Sequence, residues 1–457
     1  MGTTPGSTQG PGGSDTQLVR ELGVRQLAAL IFNYIVGAGI FVLPALAASR
    51  IGPAAVLAYL VCAVIVGLMV LCFADAGSRV AATGGPYAYA EAAFGSYVAF
   101  LVGALNLLSG VLAAGAVSGL FASSVLTLLG VTAPAARPLV MIAVVVAAAA
   151  VNIRGVKGGA RLVEAATLVK LVPLVAFVLI GAFAVRAPNL AWPETPPASG
   201  VFATAGLIIL AFLGIESALQ PSGEVRNPER TVPRAALLAM SGVVVLYVSV
   251  QLVSQGILGA ALAGEGVTPL ATAAGAAFGP VARTIMLAAA AASMFGNLCG
   301  AILAGPRSLF ALGRDGFLPR ALASVHPARH TPHVAIVVYA LVGLALGLSG
   351  TFEQIAILVN LSSLSVYIVV ALAAWRLRAL NVRLEGEPFK LPGGPLVPLL
   401  ACALSVPSSW RPFRGPRSSH WLWQSPWPPP SLRRARCARA GRRRRQRRQI
   451  RYVAAGL

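Results

Sequence analysis

The chain has 457 residues, 57% of them hydrophobic and only 11% charged. A soluble domain carries about 25% charged residues, so a soluble globular fold is excluded; apolar stretches of about 20 residues recur, each long enough to cross a bilayer. The formal charge of +22 is uneven, because the first 400 residues hold 22 basic and 14 acidic side chains while the last 57 hold 14 basic and none acidic.

The first 26 residues, rich in Gly, Ser, Thr and Pro through Asp15, lack the basic start and apolar core of a cleaved signal peptide and read as a disordered cytosolic tail. Ten apolar spans follow, at roughly 27–48, 54–76, 97–128, 138–153, 162–185, 201–222, 236–259, 282–304, 333–350 and 354–375. They define an all-α polytopic membrane protein with a ten-helix core over residues 27–378. With the N-terminus in the cytosol, 17 of the 22 basic residues before position 401 fall on the cytosolic side, four (Arg50, Arg137, Arg186 and Arg283) on the outer side and Lys170 inside a span. That bias obeys the positive-inside rule and sets the expected orientation in the cell membrane.

Two spans are interrupted. Gly37-Ala38-Gly39-Ile40-Phe41 breaks the first, and Ala211-Phe212-Leu213-Gly214-Ile215-Glu216 breaks the sixth. Lipid offers no hydrogen bonds to a broken helix, so such breaks survive only inside protein or beside a cavity. Spans one and six each open a set of five, so the second set enters the membrane from the opposite side. The breaks then face each other in an inverted pseudo-symmetry, an arrangement typical of transporter substrate sites. No residue-level repeat is evident. A broken helix exposes N–H groups at one new end and C=O groups at the other, which suit the carboxylate and ammonium of a zwitterion. Phe41 and Phe212 are expected to cover the site. Gly37 and Gly39 also fit a second reading, close helix packing.

Two ionisable residues lie inside spans. Glu216 follows the second break and reads as a gate, a proton carrier or a partner for a cationic substrate, with a hydrogen-bonded packing role as the alternative. Lys170 reads as a proton switch where other transporters bind sodium, with snorkelling to the interface as the alternative. The five cysteines show neither metal-ligand spacing nor a disulfide framework. The four histidines fall in loops or the tail, and no nucleophile–base set is visible. No enzyme activity, metal or cofactor is expected.

The segment Ala211 to Ala235, AFLGIESALQPSGEVRNPERTVPRA, resembles the sixth-helix signature of the amino acid–polyamine–organocation permeases. Gly37 to Phe41, followed by Leu43-Pro44, is similar to that family's first-helix motif. Thr83-Gly84-Gly85-Pro86-Tyr87-Ala88-Tyr89 with Ala93-Phe94-Gly95 resembles its second-to-third helix connection, and Arg307 to Gly316 resembles its loop after helix eight. The motifs occur in order over about residues 20–400. The resemblance implies a five-plus-five inverted-repeat fold with discontinuous helices one and six, and secondary transport of amino acids by alternating access. It places the substrate carboxylate at backbone around Ala38, Gly39 and Ile40, and the amine at carbonyls near Ile35, Phe212 and Leu213. It aligns Lys170 with a lysine of proton-coupled members, so protons are the expected coupling ion, and Glu216 with the family's helix-six glutamate. Leu210, where cationic amino acid exchangers often carry an aromatic residue, favours a small or apolar substrate. An exchanger without proton coupling and a non-transporting or damaged relative remain open alternatives.

Residues 379–404 read as a cytosolic connection and the start of an incomplete eleventh helix, and 405–457 as an Arg-, Pro- and Trp-rich basic tail. The abrupt change fits a reading-frame change that replaced helices eleven and twelve. It also fits a native tail that meets anionic lipid headgroups at about 1 kcal/mol per basic residue. No nucleic-acid partner is expected. Translation of the coding region in its other frames decides between the two: an apolar continuation is expected after a frame change, and its absence removes that reading.

Overall fold

A computed structural model describes residues 22–410, apart from positions 83, 134, 155, 193, 221, 267, 315, 328, 330, 351 and 385, and without side chains for 156–167, 224, 311, 352–353 and 405–410. The tail through residue 21, the basic tail from 411 and the side chain of Glu224 therefore lie outside the described residues.

Fifteen α-helices follow one another among the described residues, joined by short turns and 3-10 segments. They are α1 (Val24–Ile35), α2 (Gly39–Ile51), α3 (Ala55–Arg79), α4 (Pro86–Phe94), α5 (Ser96–Leu129), α6 (Ala136–Arg154), α7 (Val156–Gly181) and α8 (Ala198–Phe212). Then come α9 (Ile215–Ala218), α10 (Pro228–Leu258), α11 (Pro269–Phe278), α12 (Pro280–Arg314), α13 (His333–Ser349), α14 (Phe352–Ala379) and α15 (Leu396–Trp410). Seven segments are long and apolar enough to cross a membrane, so the chain is an all-α polytopic membrane protein. One of the seven, Gly39–Arg79, runs for 41 residues through α2 and α3. At 1.5 Å per residue the 25 residues of α3 are long enough for one crossing, whereas the 13 residues of α2 reach only about 20 Å and complete a crossing together with α1.

Both expected interruptions are present. The first span is split into α1 and α2 around Val36-Gly37-Ala38, and the sixth into α8 and α9 around Leu213-Gly214. The glycines permit this for different reasons. Gly214 sits at φ +132, and a Cβ there would meet the Tyr34 carbonyl oxygen at 2.9 Å. Gly39 lets α2 approach α8, since its Cβ would lie 3.0 Å from that of Ala211.

The short helices α4 and α11 were not foreseen, and they carry a repeat that the sequence reading missed. Each begins with proline at its first position and ends in Ala-Ala-Phe-Gly, at Ala92–Gly95 and Ala276–Gly279. The corner glycines have the same backbone conformation, φ 89, ψ 177 for Gly95 and φ 86, ψ −177 for Gly279. Each corner launches a long helix, α5 of 34 residues or α12 of 35. The packing is paired in the same way: α1 lies on α10 as α8 lies on α3, and α12 lies on α7 as α5 lies on α14.

Beside the sixth-span motif, the Gly84-Gly85 turn closes on the end of α9. The Gly84 N–H donates to the Gln220 carbonyl at 2.8 Å, and Gly85 (φ +55) has room only for hydrogen against Leu219. At the same end, buried Asp75 of α3 pairs with Arg79 at 3.0 Å and with Arg378 of α14 at 3.3 Å. The chain after α14 is fastened there. Arg79 donates to the Val382 carbonyl at 3.1 Å, and the Phe389 N–H donates to Ser78 Oγ at 3.0 Å. From this strap α15 leads off along α14 and α3.

Candidate functional site

The two breaks border one cavity of about 160 Å³, lined by residues of α1, α2, α5, α8, α9, α12, α13 and α14. Of the residues singled out in the sequence, Ile35, Gly37, Ala38, Gly39, Ala211, Leu213, Gly214 and Glu216 line it. Ile40, Phe41 and Phe212 do not. Phe41 is 2% exposed within the helix packing, and Phe212 stacks edge-on against Tyr247 with ring centroids 4.9 Å apart. Neither phenylalanine covers the cavity.

The backbone chemistry follows from the breaks. The N–H groups of Ala38, Gly39 and Ile40 precede the first hydrogen-bonded turn of α2, so that end carries the partial positive charge of a helix N-terminus. Carbonyls gather at the opposite ends of α1 and α8. Tyr247 of α10 stands between these two ends, with its hydroxyl 3.0 Å from the Ile35 carbonyl and 3.0 Å from the Ala211 carbonyl. It is the crosslink between the two breaks. Nothing in the local sequence marks it, because a tyrosine within a long apolar helix has no pattern that points to a partner two hundred residues away.

Lys170 lies outside the cavity lining but reaches the first break. Its ammonium donates to the Asn33 carbonyl at 3.1 Å and the Val36 carbonyl at 2.5 Å. At 2% exposure it does not snorkel. A cation here meets both the orphan carbonyls and the negative pole at the end of α1. Glu216 caps the second break: one carboxylate oxygen accepts from the Gly214 N–H at 2.9 Å and from the Tyr367 hydroxyl of α14 at 2.6 Å. This resembles the reciprocal bond of a capping box. Each break thus has one buried ionisable side chain tied to its backbone, a cation on carbonyls at the first and a carboxylate on an N–H at the second.

Asn297 of α12, also in the lining, presses its amide against the first break, where a Cβ on Gly37 would meet Nδ2 at 2.6 Å. Ser109 of α5 and Ser363 of α14 bond to each other across the lining at 2.5 Å. Neither contact was foreseen. Asn and Ser at single positions in apolar helices are too common to stand out.

A family profile for amino acid permeases matches residues 22–427, most of the chain. The chain belongs to the amino acid permease family. The permease is therefore a transporter and not an enzyme, with a small-molecule substrate. It is 28% identical over 407 residues to the branched-chain amino acid permease BcaP of Bacillus subtilis, covering 85% of this chain and 87% of the relative. It is 29% identical over 408 residues to the serine/threonine exchanger SteT of the same organism, covering 85% and 90%. It is 27% identical over 409 residues to the methylthioribose transporter of Bacillus subtilis, covering 85% and 87%. These permeases take different cargoes, so kinship alone does not choose this one's.

Proposed function

We propose that the permease is a secondary active transporter that moves a neutral amino acid across the cell membrane by alternating access, driven by protons. The observation that carries this is the meeting of the two breaks at one cavity, with a helix N-terminus for the carboxylate at Ala38–Ile40 and carbonyl ends for the ammonium near Ile35 and Leu213. Two of the similar proteins are named for amino acid cargo, a branched-chain permease and a serine/threonine exchanger. Support for a five-plus-five inverted repeat comes from the two Ala-Ala-Phe-Gly corners and from the exchanged helix pairings. The N-terminus is assigned to the cytosol on the positive-inside bias.

Proton coupling rests on Lys170. A protonated ammonium satisfies carbonyls on the unwound end of α1, and loss of its proton removes the cation that holds that end. The exchanger reading draws on one relative, the serine/threonine exchanger.

The test is uptake of a labelled panel of neutral amino acids into proteoliposomes, with and without an inward proton gradient. Gradient-driven uptake of at least one member is expected, and Lys170→Ala is expected to remove the gradient's effect. Uptake that depends only on internal amino acid supports exchange instead. A well-folded protein with no uptake overturns the transport reading.

A further inference from the structure

The following rests on the substrate site proposed above. If the carboxylate and ammonium groups of an amino acid occupy the breaks, its side chain meets the wall contributed by α5, α12, α13 and α14. That wall carries Asn106, Asn297, Ser308 and Tyr339 in addition to the mutually bonded Ser109 and Ser363. Glu216 is the charged residue of the lining, and its carboxylate already holds the Gly214 N–H and Tyr367. The wall is polar but offers no free charge for an ionic side chain.

Tyr339 is the most constrained group in it. It is the sole contribution of α13 to the lining, and its ring reaches the cavity by passing between two glycines of neighbouring helices. A Cβ on Gly305 of α12 would stand 2.4 Å from the ring, and one on Gly110 of α5 would stand 2.7 Å from the hydroxyl. Only hydrogen fits at either place. Tyr339 is 1% exposed as a residue, no hydrogen bond from its hydroxyl is seen among the described residues, and unlike the sealed Tyr59 hydroxyl it opens on the cavity. Buried phenols normally find one. A hydroxyl set between two lining glycines with no protein partner points to a partner that arrives in the cavity.

We infer that this wall is a side-chain subsite for a neutral amino acid bearing a hydroxyl or carboxamide, and that Tyr339 is its specificity-determining residue. A site furnished with hydrogen-bonding groups rejects an analogue that lacks the matching group, because its own polar atoms are then left unpaired. Leu107, Val117 and Leu120 on the same wall would accept an aliphatic side chain of equal shape. Threonine and valine are the discriminating pair, since they differ in the hydroxyl and little in size.

Uptake of labelled threonine and of labelled valine by the full chain in proteoliposomes tests this, in wild type, Tyr339→Phe and Gly305→Ala. Wild type is expected to prefer threonine. Tyr339→Phe keeps the ring and is expected to reduce the threonine-to-valine ratio by roughly three- to tenfold, with the larger loss on threonine. Gly305→Ala, which forces the ring aside, is expected to reduce it similarly; if that variant does not fold, the phenylalanine variant decides. A wild type that prefers valine, or a Tyr339→Phe variant with an unchanged ratio or with both amino acids equally reduced, overturns the subsite while leaving amino acid transport intact. No uptake or binding of any amino acid overturns the transport reading and the subsite together.

Discussion

Gly214 bears the strictest demand on any single position at the breaks. Its φ of +132 is a conformation that L side chains rarely adopt, and a methyl group there would also press on the Tyr34 carbonyl at 2.9 Å. The backbone cost alone is about 1–3 kcal/mol. Gly214→Ala is expected to abolish uptake and lower thermal stability in detergent. Gly67→Ala is the control: a Cβ there meets nothing within 4 Å, so uptake is expected to persist and stability to hold or rise slightly. Legibility at this scale was selective. Glycines 37, 39 and 214 and the ionisable residues 170 and 216 stood out because polar or flexible residues are costly in lipid. Tyr247, Tyr339 and Asn297 did not, because their importance lies in partners far away in sequence. Phe41 and Phe212 were misjudged as covers for the site: an aromatic residue beside a break has two directions to face, and both turned into the packing.

Among the elements, α5 and α13 make the closest backbone approach. A Cβ on Gly115 would lie 2.5 Å from the Gly343 carbonyl oxygen, and one on Gly347 would lie 2.7 Å from the Gly115 carbonyl oxygen. Gly343 and Gly347 stand four apart on α13, the small-residue spacing by which membrane helices pack when no hydrophobic driving force separates helix from lipid. Gly347→Leu is expected to force these helices apart and to lower the detergent melting temperature by several degrees, about 2 kcal/mol for an overpacked contact. An unchanged melting temperature in fluorescence-detected size exclusion would show that the crossing tolerates bulk. The seven long membrane-crossing segments were legible as elements because each contains an apolar run of bilayer length. The corner helices α4 and α11 were not, because nine- or ten-residue stretches of mixed Ala, Tyr and Gly fall below that length. Their shared Ala-Ala-Phe-Gly ending is only four residues long and gains meaning from the matching backbone angles of its glycines.

For the whole molecule, the Asp75 cluster fastens α3, α14 and the strap that leads to α15 at one end of the helix array. Asp75 is 1% exposed and answers two guanidinium groups, so Asp75→Asn leaves Arg79 and Arg378 without their counter-charge. Breaking a buried pair from one side costs about 3–5 kcal/mol. Arg378 is 29% exposed, and Arg378→Gln is expected to cost far less because water screens it. Thermal unfolding of both variants checks the ordering; equal losses would mean that Asp75 depends on Arg378 as much as on Arg79. At the opposite extreme of scale, the carbonyl ends of the two breaks share a single phenol. The Tyr247 hydroxyl has one hydrogen, and the carbonyls of Ile35 and Ala211 stand equally near it. It serves one at full strength or shares itself thinly between both, so one break is always the poorer. An ammonium group entering the cavity brings three hydrogens to the same carbonyl-rich ends. On the proposed binding mode, cargo and phenol would be rivals for the same carbonyls, the phenol being a one-proton imitation of an ammonium group.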